Sequence, residues 1–217
     1  KPIIFLLTSL FLSFGLTVHN ALSVILIPMV LIFAFLLPNI KKNLLSLLFG
    51  FLLSAYFLIP GVLELSSTIA STRVDLLGYP EQLLCVWQLW TTPFWGYGGS
   101  SPGCIDGMSF MLGKPQILTG LVGLISLMVY LIKNKSKKFI IKKRVIIYMV
   151  VMTIGTIFMT TYYSYSISKI LIPYIGWIQF PWRLLPISLF GLSFIASGIF
   201  IPKKFNKLSF FLIILAI

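Results

Sequence analysis

One arginine in this sequence occupies a position that favours anion binding. Arg183 follows Trp182 in the run IQFPWRLLP, at positions 178–186, and an apolar stretch comes directly after it. Pro181 favours the first turn of a helix, and the amide groups of a helix N-terminus attract anions. A guanidinium pointing the same way would complete a site for a phosphate. Alternatively, the arginine lays its aliphatic stem along apolar surface and pairs its charge with a carboxylate.

The two cysteines, Cys85 and Cys104, carry a different chemistry. In an oxidising compartment such a pair forms a disulfide, and we predict that their Cα atoms lie within the ~7 Å that a bridge requires. No Cys/His cluster has metal-site spacing, so we predict no metal and no cofactor, and nothing in the sequence supports a divalent ion. The glycine-rich run GYGGSSPG (96–103) lacks the lysine of a phosphate-binding loop and favours a flexible turn.

The remaining candidates are three carboxylates and one imidazole. Glu64 directly follows an apolar run, where a carboxylate is a functional candidate, although an ordinary helix-end acid is the simpler interpretation. Asp75 is a weak candidate for a catalytic base and also fits a solvated loop. Asp106 fits either a binding role or a turn. His19 fits a proton relay, a substrate contact or the cap of a turn.

These residues must be positioned by apolar segments, because 59% of the 217 residues are hydrophobic and only 10% are charged. A soluble domain is about half apolar and about a quarter charged. We therefore predict an all-α fold, a polytopic transmembrane helical bundle that forms one domain over 1–217. The predicted spans are 3–18, 21–38, 44–63, 116–132, 145–161, 182–201 and a last one that starts near 208.

The seventh span ends at Ile217 after about ten residues, which are too few to cross a bilayer. The chain also starts almost inside a span. We therefore expect a fragment of a longer protein.

Charge gives this topology a direction. Alternating spans place thirteen of the 17 Lys and Arg residues on one side, at Lys1, 41–42, 133–144 and 203–207. Cytoplasmic loops carry the excess of Lys and Arg, so this side is predicted to be cytoplasmic. The net charge of +13 thus reflects topology and attraction to anionic lipid. Nucleic acid is not a predicted partner, because the basic loops are short and lack interleaved aromatic residues.

Two longer segments fall on the outer side, at 64–115 and 162–181. In the first, Leu83, Trp87, Trp90 and Phe94 recur at helical spacing, which predicts a short helix lying on the outer leaflet. The alternative is that these rings pack on the transmembrane helices. The second segment is too polar and too often broken by proline to span, and it fits an interfacial or re-entrant piece.

Two motifs carry a family resemblance. WGYGGSSPGCIDGMSFMLGKPQIL (95–118) and IQFPWRLL (178–185) resemble bacterial polytopic membrane proteins described as 6-pyruvoyl-tetrahydropterin synthase-related, together with YfhO-like proteins. The resemblance covers roughly half the chain. These families stand among or close to the GT-C glycosyltransferases, which take a sugar from a polyprenyl-phosphate donor at the outer membrane face.

The resemblance implies a GT-C-like protein of cell-envelope glycan assembly in the bacterial cytoplasmic membrane, with a polyprenyl-phosphate sugar and membrane lipid as partners. Arg183 would hold the phosphate, with Trp182, Gln179, Asp106 and His19 as further substrate-binding residues. Whether the protein is an enzyme stays open, because the first outer turn lacks the acid that such transferases use there. A transporter or flippase for lipid-linked glycans and a non-catalytic membrane scaffold are the alternatives.

The topology predicts a labelling pattern in intact cells. Single cysteines introduced in 64–115 and 162–181 should react with a membrane-impermeant maleimide, and cysteines in 133–144 should react only after permeabilisation. The charge asymmetry between the two sides motivates this expectation. External labelling within 133–144 would overturn the predicted direction.

Overall fold

The computed structural model describes residues 2–18, 20–67, 79–92, 96–133 and 140–197. Most of these residues are helical, and a small hairpin interrupts the otherwise all-α fold that the sequence predicts. The α-helices of the described chain are α1 (Pro2–Val18), α2 (Asn20–Leu36), α3 (Ile40–Leu63), α4 (Lys114–Lys133), α5 (Ile140–Thr160), α6 (Tyr165–Ile175) and α7 (Leu185–Ala196). The hairpin pairs β1 (Ser100–Ser101) with β2 (Ile105–Asp106) in antiparallel register.

The helices coincide with the first six predicted apolar segments to within a few residues. Two stretches within the described residues are long and apolar enough to cross a membrane, Ile40–Leu63 with 24 residues and Lys143–Thr160 with 18. The end of the sixth predicted segment and the seventh lie outside the described residues. The 11-residue α6 is only ~17 Å long, so the 162–181 segment does not contain a spanning helix, as predicted.

Helix packing in a first unit, formed by α1, α2, α3 and Leu171–Gln179, uses small residues. The buried residues of α3 are Ser46, Gly50 and Ser54, which recur every four positions and share one face. The Ser9 hydroxyl on α1 donates to the Ser46 carbonyl at 3.0 Å. A Cβ at Gly50 would lie 3.0 Å from the Ser9 carbonyl oxygen, so the two backbones approach closely because this residue is a glycine.

A second unit, which begins at Tyr79, contains α4, α5 and α7 and follows the same rule. The Ser188 hydroxyl of α7 donates to Thr156 Oγ1 of α5 at 2.9 Å, and both side chains are buried. One turn further along α7, a side chain at Gly191 would overlap Thr153. On α4, a Cβ at Gly123 would lie 2.8 Å from the Ala196 Cα atom of α7. Three helices thus meet at glycine and hydroxyl residues.

Many apolar side chains of these helices point outward, which inverts the pattern of a soluble protein. Only 17% of an apolar stretch of 18 residues in α3 is buried, and for the 18 residues Lys143–Thr160 of α5 the share is 22%. The core helix of a soluble protein would bury most of its apolar residues. Large side chains that are about half or more exposed include Phe11, Leu52, Ile125, Val151 and Phe190.

The helix contacts predict opposite effects for two glycines. Gly123→Ala should lower the free energy of unfolding by roughly 1–3 kcal/mol, because the added methyl group meets the backbone of α7. Gly155→Ala on α5 is the matched control, because nothing lies within 4 Å of its Cβ position. This control should be neutral or stabilising by about 0.5–1 kcal/mol, since alanine favours a helix. Thermal unfolding in detergent measures both, and equal stability of the two variants would contradict the packing.

Candidate functional site

The segment between α3 and α4 is anchored on α5 by backbone hydrogen bonds. The Leu84 amide donates to the Thr160 carbonyl at 2.8 Å, and the Leu84 carbonyl accepts from the Tyr162 amide at 3.0 Å. Further along, the Leu112 amide donates to the Leu89 carbonyl at 3.0 Å. Buried Leu84, Leu89 and Leu112 share a core with Phe110. This core packs Leu84 and Leu112 against Leu192 on α7.

The predicted interfacial helix is wrong. Leu84 is in an extended bridge with Thr161, and only Val86–Leu89 forms a short 3-10 turn. Leu83 is fully buried, whereas Trp87 and Trp90 are 47% and 40% exposed, so these residues do not share a face. The physical reason is that the amide and carbonyl groups of Leu84 bond to the end of α5. In a helix these groups would bond within the segment instead. Phe94 lies outside the described residues.

The glycine-rich run forms the hairpin, as its turn-forming composition favours. Gly103 at φ 86° and Cys104 at φ 65° supply the left-handed backbone of the turn. The Gly107 amide donates to the Gly99 carbonyl at 2.9 Å. A side chain at Gly107 would overlap the Gly99 backbone, so this pair needs glycine for its close approach.

A disulfide joins Cys85 to Cys104, with their Cα atoms 5.6 Å apart. The distance lies within the ~7 Å limit expected from the sequence. The two cysteines are 19 positions apart in the chain, so the bridge closes a loop of about this size. It links the 3-10 turn to the hairpin. A closed loop of this size stabilises the folded segment by about 3 kcal/mol in the chain-entropy account.

A polar network lies beside the disulfide. Gln88 is fully buried, and its Oε1 accepts from the Cys85 amide at 2.6 Å. The Gln88 amide nitrogen donates to Asp106 Oδ1, and the Thr92 hydroxyl donates to Asp106 Oδ2 at 3.2 Å. Both oxygens of this carboxylate therefore have partners inside the segment. The network holds Asp106 in the hairpin, and a substrate contact for it stays a prediction.

Trp182 and Arg183 lie in the 3-10 turn Pro181–Leu184 that leads into α7. The Trp182 ring is stacked on Phe180, with centroids 5.0 Å apart, and contacts Phe110 at 5.9 Å. The guanidinium carbon of Arg183 lies 4.9 Å from the centroid of the Phe180 ring, within cation–π distance. The sequence predicted an α-helical first turn here, and the structure places a tighter turn before the helix. Phe180 thus contacts both predicted binding residues.

Aromatic side chains line a cleft of about 650 Å³ next to the disulfide. Trp87, Trp90 and Tyr163 are partly exposed there, and the Lys114 ammonium lies 5.8 Å from the Trp90 ring centroid. A second, apolar cavity of about 300 Å³ lies between this segment and α4, α5 and α7. The 650 Å³ cleft is lined by Leu84, Cys85, Val86, Trp87, Trp90, Tyr162 and Tyr163.

Other predicted site residues are placed separately or not described. Glu64 is the exposed C-cap of α3, and its amide donates to the Pro60 carbonyl at 2.9 Å. Gln179 adopts φ 67° in the first unit. His19 and Asp75 lie outside the described residues. Within the described part of the chain, no group of three His, Cys, Asp or Glu residues is placed to hold a metal.

Sequence reasoning missed Gln88, Phe180 and Tyr79. Tyr79 is buried, and its hydroxyl donates to the Met159 carbonyl at 3.3 Å. Burial raises the pKa of the Tyr79 hydroxyl, so the group stays protonated as a donor. A lone glutamine between two tryptophans was the available signal for Gln88, since a polar residue in an apolar run is informative.

No protein-family model matches this chain, and neither curated proteins nor solved structures give a match. The described fold and site define a helical protein with many outward-facing apolar side chains and one disulfide-closed segment.

Gln88 gives a test of the network. Gln88→Met should lower the free energy of unfolding by roughly 1–3 kcal/mol, because it removes the partner of Asp106 Oδ1 and of the Cys85 amide. Gln116→Met is the matched control, because the Gln116 Oε1 atom has no hydrogen-bond partner. Denaturant unfolding of both variants measures the difference. If the two substitutions cost the same, the network contributes nothing specific.

Proposed function

We propose that this chain belongs to a multi-pass protein of the bacterial cytoplasmic membrane that binds a polyprenyl-phosphate-linked sugar at the outer face. The protein would be GT-C glycosyltransferase-like and would act in cell-envelope glycan assembly. The observation that carries the proposal is the cluster of Trp182, Arg183 and Phe180 at the start of α7. A cation over one ring of a stacked aromatic pair suits an anionic headgroup that also carries a sugar.

The outward-facing apolar residues support membrane embedding. In lipid, helix association depends on close packing and interhelical hydrogen bonds, because lipid tails are as apolar as leucine. Contacts at Gly50, Gly123 and Gly191, with the Ser188–Thr156 hydrogen bond, are of this kind. A soluble protein would instead expose the hydroxyl groups and bury the leucines.

Charge and the disulfide support the sidedness. The segment that holds Cys85 and Cys104 falls on the side with few Lys and Arg residues. Disulfides persist in oxidising compartments outside the cytoplasm. Both arguments support an outer location for 79–113.

The ligand site follows from chemistry at that face. Arginine presents a planar fork that matches phosphate oxygens, and it binds them bidentately. Trp182, the neighbour of Arg183 in the chain, contacts both Phe110 and Phe180, which restricts the position of its ring. The aromatic cleft with Trp87 and Trp90 offers further ring surface for the sugar or the isoprenoid.

A non-catalytic scaffold that binds the same ligand is the second candidate. The Asp106 carboxylate already accepts hydrogen bonds from Gln88 and Thr92, which favours a structural role over proton abstraction. Glu64, exposed at the end of α3, is the remaining described candidate for a catalytic base. Transport of lipid-linked glycans would use the same recognition.

Arg183 provides the test of ligand binding. Arg183→Ala should weaken binding of a short-chain polyprenyl phosphate by roughly ten- to more than a hundredfold, because one charge-assisted contact contributes ~1.5–3 kcal/mol. Arg183→Lys should also weaken it, since lysine keeps the charge but loses the bidentate geometry. Calorimetric titration of the purified protein in detergent measures the dissociation constants.

Arg144→Ala is the matched control, because Arg144 is an exposed arginine on α5 on the side predicted to be cytoplasmic. This variant should bind like the wild type. Thermal unfolding of each variant separates a lost contact from a lost fold. Equal binding by wild type and Arg183→Ala would reject the proposed phosphate site.

A further inference from the structure

Four buried side-chain atoms in the described part of the chain have no hydrogen-bond partner in the protein. They are Gln82 Oε1, Ser100 Oγ, Gln116 Oε1 and Trp182 Nε1. A buried polar group without a partner costs about 1–3 kcal/mol, so such groups are rare and each one needs an explanation. Their distribution in the second unit is uneven.

Three of the four lie on segments that touch one another. The 3-10 turn Tyr79–Gln82 contacts both β1 (Ser100–Ser101) and the turn Pro181–Leu184. Gln82 Oε1 lies directly against Gly99, where a side chain would overlap it, and Ser100 is the next residue. Gln116 lies elsewhere, on the first turn of α4.

Packing fixes the surroundings of two of these side chains, Ser100 and Trp182. Ser100 is fully buried, and its strand is paired with β2. The indole of Trp182 is held by contacts with Phe110 and Phe180, which set the direction of its N–H bond. Trp182 also packs against the core that Leu84 and Phe110 share, so it cannot turn without disturbing that core.

The chemistry of the three atoms is complementary to one water molecule. Gln82 Oε1 is an acceptor, Trp182 Nε1 is a donor, and the Ser100 hydroxyl is both. A carbonyl oxygen opposes an anion and an indole N–H group opposes a cation, so a neutral group that both donates and accepts fits best. A buried water typically makes about three hydrogen bonds to otherwise unpaired groups.

We propose that an ordered water binds between these three segments and accepts from Trp182 while it donates to Gln82 and bonds with Ser100. The water joins the glycine-rich hairpin to the turn that carries Arg183. It makes the position of that turn depend on the hairpin, through Trp182. This site does not rest on the proposed lipid ligand, because its partners are side chains and water alone.

The sign of one stability change tests the proposal. Ser100→Ala should lower the melting temperature of the ligand-free protein in detergent by roughly 2–4 °C, because the water loses a partner. Ser101→Ala is the matched control, since Ser101 is the exposed neighbour on the same strand, and it should cause no shift. If no water binds, Ser100→Ala removes an unpaired hydroxyl, and the melting temperature stays the same or rises. That result would overturn the proposal.

A double-mutant cycle tests whether the atoms share one partner. Gln82→Met removes the carbonyl oxygen at similar side-chain length and should also lower the melting temperature. Once either variant has displaced the water, the second substitution has less to lose, so the double variant should lose less than the sum of the single losses. Additive losses would overturn a shared water. Gln82→Met alone, which should lose stability, keeps the proposal falsifiable if Ser100→Ala does not fold.

Discussion

Close contact between helices at glycine, serine and threonine is the constraint on which both units depend. At Gly50 and Gly191 a side chain would overlap the neighbouring helix, and at Gly123 it would reach the neighbour's backbone. Hydroxyl groups fill the remaining interior and bond to backbone carbonyls of their own helix or to each other, as Ser188 does with Thr156. This packing leaves many of the leucine, isoleucine and phenylalanine side chains of the helices on the outside. Such a surface is stable in lipid, where close packing rather than apolar burial drives association.

The disulfide-closed segment depends on α5. α5 ends at Thr160, and its last carbonyl holds the Leu84 amide. From this anchor the chain reaches the disulfide and the Gln88 network, which together fix the hairpin. The core of leucine side chains around Phe110 then contacts Trp182, which precedes α7. The position of Arg183 is thus set by contacts that begin at the end of α5.

The sequence predicted the helices well because apolar runs bounded by charged or polar breaks have few alternatives. The contact between Cys85 and Cys104 was also predictable, since both lie in one segment that the charge pattern predicts to be extracytoplasmic. The helix over Leu83–Phe94 was predicted wrongly. Helical spacing of large residues carries no information about Leu84, whose backbone bonds to a residue more than 70 positions away. Tertiary hydrogen bonds of this kind override local periodicity.

The roles of Gln88 and Phe180 were not predictable for a related reason. Gln88 is important because its amide joins the nearby Cys85 amide to Asp106, which is 18 positions away and comes close only in the folded hairpin. The family resemblance predicted Trp182 and Arg183 but not Phe180, whose ring contacts both of them. Gln88 and Phe180 act through contacts with other site residues in the folded chain, so the sequence alone did not predict their roles.

The central claim is that the outward apolar faces of the helices contact lipid. Nitroxide labels at Leu52 on α3 and Val151 on α5, two exposed positions, report this directly when the protein is in nanodiscs. If these faces contact lipid, both labels should collide frequently with oxygen and rarely with a water-soluble nickel chelate. A label at exposed Ser101 on the hairpin should show the opposite preference. Frequent collisions of the Leu52 and Val151 labels with the nickel chelate would contradict lipid contact at these positions.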